Sequence, residues 1–122
     1  MTKHDTIFLI GLIILSVLTS FMFIFYGMGI IMAHSVAGSA MIFAYVTTAY
    51  GLANIAILSI AWSSRDAWSG AVSKLVALCF FGVYIMNRFM AGFQLVDLAS
   101  LAGLAVVLAL NFAAVKKVVA RP

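Results

Sequence analysis

From Thr6 to Ala33 the chain reads TIFLIGLIILSVLTSFMFIFYGMGIIMA, without one charged residue. Long apolar runs of this kind recur down the chain, and segments such as LIGLIILSVL show no alternation of apolar and polar positions. Membrane β-strands alternate over about ten positions, so these runs predict helices. A helix needs roughly 20 apolar residues to cross a hydrocarbon core about 30 Å thick. On that measure the pattern predicts four spans, at about 6–28, 39–62, 75–94 and 98–115. The first run is longer than one crossing requires. Gly27 and Gly29 follow the aromatic cluster Phe21, Phe23, Phe25 and Tyr26, which suits the headgroup level. The first span is therefore expected to end near Met28, with 29–38, including His34, as a connector or an extra turn or two. The run also exceeds the roughly 7 to 15 residues of a signal-peptide core, so it is expected to be a retained span.

Composition removes the soluble alternatives. Apolar residues make up 66% of the 122 positions and charged residues 8%, with a mean hydropathy of +1.25. A soluble domain has about a quarter of its residues charged, and a small domain buries too little surface to hide so much apolar area. The polar faces that four soluble helices would need are missing. The expected fold is an all-α integral membrane protein, one membrane domain over 1–122 built as a bundle of four transmembrane helices with short connectors. The single cysteine, Cys79, allows no internal disulfide and reads as a small apolar side chain.

Charge then predicts the threading. Lys3 precedes the first span, Arg65 and Lys74 lie between the second and third, and Lys116, Lys117 and Arg121 follow the fourth. All fall on one side, which the positive-inside rule makes cytoplasmic, with both termini there. The expected location is the plasma membrane, specifically a bacterial inner membrane. The net charge of +4 is expected to meet anionic headgroups rather than nucleic acid. Trp62 and Trp68 flank the inner connector as interfacial anchors, and SSRDAWSG is expected to form a short interfacial turn capped by Ser64.

One cation breaks the pattern. Arg88 sits beside Asn87 in VYIMNRFMAGFQLVD, roughly 21 Å above the inner boundary and about 9 Å below the outer one if counted from Lys74. The expected partner is Asp97, the one acidic residue on the outer side, which the arginine reaches by snorkelling. Tyr84, Asn87, Arg88, Ala91 and Gln94 fall within an arc of about 120° on the third helix. Thr47, Tyr50, Gly51 and Asn54 form a weaker polar stripe on the second. Lipid satisfies neither, so the two stripes are expected to meet as a polar seam or to face a bound polar molecule. On the fourth helix Ala102, Ala105, Ala109 and Ala113 recur at spacings of three and four, a small-residue face suited first to packing within the chain and then to docking another subunit. Asn111 is expected to bond a neighbouring helix or sit at headgroup level.

Catalytic chemistry finds no support in this pattern. His4 and His34 fall on opposite sides, the aspartates are dispersed, and neither metal-ligand spacing nor a phosphate-binding glycine loop occurs. No metal or cofactor is expected. The function expected first is a small accessory or structural subunit of a larger membrane complex, with lipids and other integral membrane subunits as partners and no enzymatic activity. The second expectation is a small oligomeric transporter or channel using the seam between the second and third helices, although no acidic residue lies deep in a helix to couple an ion. The third is a lipid or quinone site near the outer surface, built from Arg88, Tyr84 and His34.

Overall fold

In a computed structural model that describes residues 2–34 and 37–121, the chain forms four helices: α1 (Lys3–Ala33), α2 (Ser39–Ser64), α3 (Trp68–Ala91) and α4 (Val96–Ala120). Met1, Pro122 and, in the expected connector after α1, Ser35 and Val36 lie outside the described residues. All four helices are long and apolar enough to cross a membrane. Large apolar side chains remain exposed along each of them, among them Leu18, Met22, Leu52, Leu78 and Val106. The end that holds Thr2, Arg65 and Arg121 is called here the termini end, and the end that holds His34 and Asp97 the far end.

The helices outrun the apolar spans, each for a local reason. A reciprocal cap starts α1: Thr2 Oγ1 accepts from the Asp5 amide at 3.2 Å and Asp5 Oδ2 accepts from the Thr2 amide at 3.3 Å. At the other end α1 passes through Gly27 and Gly29 and stops only where His34 turns left-handed at φ 50°. Its 31 residues span about 46 Å, well beyond one hydrocarbon core. Gly27 does not loosen this helix; it lets α2 approach, since a Cβ there would lie 2.6 Å from the Ala44 carbonyl oxygen. Arg65 ends α2 in the left-handed region at φ 56°. Ser64 caps nothing beyond it, because its hydroxyl donates back to the Ile60 carbonyl at 2.8 Å. The short turn expected here is present over 65–67, where the Ser69 amide donates to the Asp66 carbonyl at 3.1 Å, and α3 is already under way at Trp68. It ends at Gly92, whose φ of 94° leaves the helix before Gln94 is reached. At the other boundary α4 continues through Lys116 and Lys117, both good helix formers, to Ala120.

Buried positions trace one stripe per helix. On α1 the stripe is Leu9, Leu12, Ser16, Ser20, Ile24 and Gly27, which repeats at three and four residues as one helix face must. On α2 it is broader and includes Phe43, Ala44, Thr47, Tyr50, Gly51 and Asn54, so α2 is the most enclosed helix. Sequential helices pack side by side, α4 closes back on α1, and α2 also touches α4 across the bundle. The backbones of α1 and α3 stay apart and are bridged by the rings of Phe23 and Phe80, whose centroids are 5.5 Å apart and nearly perpendicular.

The interior is layered along the bundle axis. At the termini end Leu9, Leu12, Ile57, Leu58, Ala61, Ala114, Val115 and Val118 form an aliphatic core. Toward the far end Phe43, Tyr50, Ala77, Phe80 and Leu108 form an aromatic one, in which the Tyr50 and Phe80 rings stack at 4.6 Å. Arg121 ties α2 to α4 at the termini end: its guanidinium lies 3.9 Å from the Trp62 ring and donates to the Trp62 and Val118 carbonyls.

Candidate functional site

Between the two apolar cores lies a buried polar layer. Asn54 on α2 donates through Nδ2 to two α1 hydroxyls, Ser16 Oγ at 2.9 Å and Ser20 Oγ at 2.7 Å. Asn111 on α4 donates to the Tyr50 hydroxyl at 3.0 Å and accepts from Thr19 Oγ1 at 3.2 Å. Ser16, Ser20, Asn54 and Asn111 are each 2% exposed or less. Hydroxyls left over are returned to their own helix, as Ser20 Oγ donates to the Ser16 carbonyl at 2.8 Å. The layer thus links α1, α2 and α4 and leaves α3 out.

This pairing differs from the expected seam. Tyr50 and Asn54 turn to α1 and α4, and among the described residues no side-chain hydrogen bond joins α2 to α3. Close packing explains the choice. A Cβ on Gly51 would lie 2.6 Å from the Ser20 carbonyl and 2.7 Å from Ile24 Cγ1, so the glycine brings the α2 backbone against α1 and carries Asn54 to the serines. Ser16, Thr19 and Ser20 were not among the expected site residues. Their spacing of three and four, on the face that later carries Ile24 and Gly27, is the signal that marks them.

The polar stripe of α3 occupies the far end instead. Arg88 Nη1 lies 3.8 Å from Asp97 Oδ1, and the guanidinium carbon is 5.1 Å from the Tyr84 ring centroid. Asp97, in the first turn of α4, also accepts the Gln94 amide through Oδ2 at 2.9 Å. One carboxylate therefore fixes both the arginine and the connector between α3 and α4. Gln94 contributes its backbone, and its side chain is exposed; Asn87 is half-buried. Since α3 ends three residues after Arg88, the arginine lies about 4.5 Å of helix from the far end, closer than a helix running to Gln94 would place it. Its Nε is buried without a partner.

Beside Arg88 a cleft of about 290 Å³ opens between α1 and α3. Phe43, Thr47 and Phe80 form its buried floor, while exposed Met22 and Tyr26 stand at the mouth and Tyr84 and Arg88 form one wall. His34, exposed at the end of α1, does not line it. The volume is near the lower end for ligand pockets.

The alanine face of α4 points away from the interior. Ala102, Ala105 and Ala109 are exposed and Ala113 is half-buried, whereas Ala114, one position on, is fully buried. Packing within the chain therefore uses the Leu108, Asn111, Val115 and Val118 face. Among the described residues no three His, Cys, Asp or Glu side chains converge. Comparison with family models, with curated proteins and with solved structures finds no match to the chain.

Proposed function

We propose that the chain is a small accessory or structural subunit of a larger integral membrane complex, one that packs through helix faces and runs no chemistry of its own. The observation that carries this reading is the outward alanine face of α4. Small side chains at Ala102, Ala105 and Ala109 let another backbone come close, yet the fold leaves them uncovered. The polar layer of Ser16, Thr19, Ser20, Tyr50, Asn54 and Asn111 meanwhile bonds to itself within the chain, as a scaffold requires. We place the bundle in a bacterial inner membrane with both termini, Arg65 and Lys74 on the cytoplasmic side, because all the flanking cations then face inward.

The transporter reading is weaker on the same geometry. A pore needs a polar path, and the polar layer is bonded to itself between an aliphatic and an aromatic core. A lipid or quinone site at the far end has one observation in its favour, the cleft beside Arg88 with its partnerless Nε. The accessory reading is tested by crowding the face. Ala102→Phe with Ala105→Phe is expected to release the chain from its high-mass band on native gels of mild-detergent extracts while its own thermal midpoint holds. Retention in that band would remove the support that α4 provides.

A further inference from the structure

A groove follows the seam between α3 and α4 on the outside of the bundle. At the termini end it is a cavity of about 360 Å³ bordered by Lys74, Phe112 and Lys116. Farther in it continues as a cavity of about 300 Å³ that again includes Lys74 and Phe112 and is walled by Ala77, Ala105 and Ala109. Two cations thus stand at one mouth of an apolar channel that runs along the helices. Neither forms an ion pair: among the described residues the one ion pair is Arg88 with Asp97. Lys116 rests its ammonium 5.9 Å from the Phe112 ring, and both lysines are exposed.

The positions of the lysines in their helices set the chemistry. Lys74 is six residues after Trp68, about 9 Å along α3, and Lys116 is four before Ala120, about 6 Å from the end of α4. Both lysines line the apolar groove within two turns of a helix end, close to where headgroups lie in a bilayer, and the long stems can bring the charges to that level. A water-soluble anion finds two lysines but gains nothing from the alanine-walled channel. A zwitterionic lipid such as phosphatidylcholine fills the channel and brings a phosphate, but its choline cation stands against the two ammonium groups and cancels the attraction. We infer that the groove holds one anionic glycerophospholipid, its phosphate between Lys74 and Lys116 and one acyl chain laid along Ala77, Ala105 and Ala109. Basic pockets between transmembrane helices take anionic headgroups on this physical ground.

The inference rests on the membrane placement proposed above and not on a partner subunit, although a lipid against Ala105 and Ala109 would lie at the edge of the face assigned to that partner. The test uses the purified full chain, stripped of lipid in a zwitterionic detergent. Phosphatidylglycerol and phosphatidylcholine with identical chains are titrated separately, and bound lipid is counted by native mass spectrometry. One phosphatidylglycerol is expected to be retained at concentrations where phosphatidylcholine is not. Lys74→Gln with Lys116→Gln is expected to weaken that binding about thirtyfold, and Lys117→Gln, whose ammonium lies over Phe8 away from the groove, to leave it unchanged. Ala109→Phe keeps the lysines and fills the channel, so it is expected to abolish the same bound lipid, and it decides the matter where the double variant loses helix content. Equal retention of the two lipids overturns the inference, as does undiminished binding in the groove variants. Because the chain is free of partners throughout, failure here leaves the accessory reading standing, and loss of a partner leaves the lipid site standing.

Discussion

Asn54 and Asn87 show how little residue type alone decides. Both are asparagines within apolar helices, yet Asn54 is 2% exposed and bonds two serines, while Asn87 is half-buried at the far end. Interhelical hydrogen bonds of this kind are worth about 0.6 kcal/mol each. Asn54→Ala is therefore expected to cost about 1 kcal/mol, read as a lower unfolding midpoint in mixed micelles, and Asn87→Ala is expected to leave the midpoint where it was. Equal effects would mean that the buried layer does not hold the bundle. Arg88 gives the second residue-scale prediction. Arg88→Leu is expected to insert normally, since removing a charge favours lipid, whereas Arg88→Glu sets an anion beside Asp97 and is expected to lower the yield of folded protein. Recovery with Arg88→Glu and Asp97→Lys together, measured by the same yield, would show that the attraction itself matters. The Arg88 and Asp97 pairing was legible because Arg88 is the one Lys or Arg outside the termini-end group and Asp97 the one acidic residue at the far end. The serines and Thr19 were legible only through the face they share with Ile24 and Gly27, because a hydroxyl in a helix bonds a carbonyl three or four residues back at little cost and so by itself marks neither an inner nor an outer face. Thr47 and Thr48 do this with Phe43 and Ala44.

At the scale of the helix, apolar length gave away all four elements, but glycine misleads about where they end. Gly27 and Gly92 look alike in sequence: one is buried within α1 against Ala44 and Thr48, and the other, at φ 94°, ends α3. Which use a glycine serves depends on what crosses it, and the chain pattern does not encode that. The contrast is testable. Gly51→Val pushes a branched side chain into the Ser20 carbonyl and Ile24, and overpacking of this sort costs about 1–3 kcal/mol; Gly82→Ala, where a Cβ meets nothing within 4 Å, is expected to be neutral or to stabilise α3 by up to about 1 kcal/mol through helix propensity. Unfolding midpoints of the two variants check the pair, and a tolerated Gly51→Val would contradict the close approach of α1 and α2. The alanine face was legible as a face, but its direction was not. Alanine suits contact with a neighbouring helix or with lipid, and only the position of Leu108, Asn111 and Val115 on the opposite side turned it outward.

For the whole molecule, the layered interior and the uncovered α4 face are the two features on which the proposed accessory role rests. Orientation comes first. In a background with Cys79 replaced, cysteine at Ala37 is expected to react with an impermeant reagent from outside the cell and cysteine at Ser64 is not; the reverse pattern would invert the proposed threading. The measurement that bears most directly on the accessory reading is gentle extraction of the chain from its native membrane, native electrophoresis, and mass spectrometry of the band that contains it. Co-migration with unrelated membrane subunits, lost when Ala102 and Ala105 are crowded, is the predicted result. A chain that runs alone as a monomer in both mild detergent and nanodiscs would contradict the account, and a homo-oligomer without other subunits would move it to the transporter.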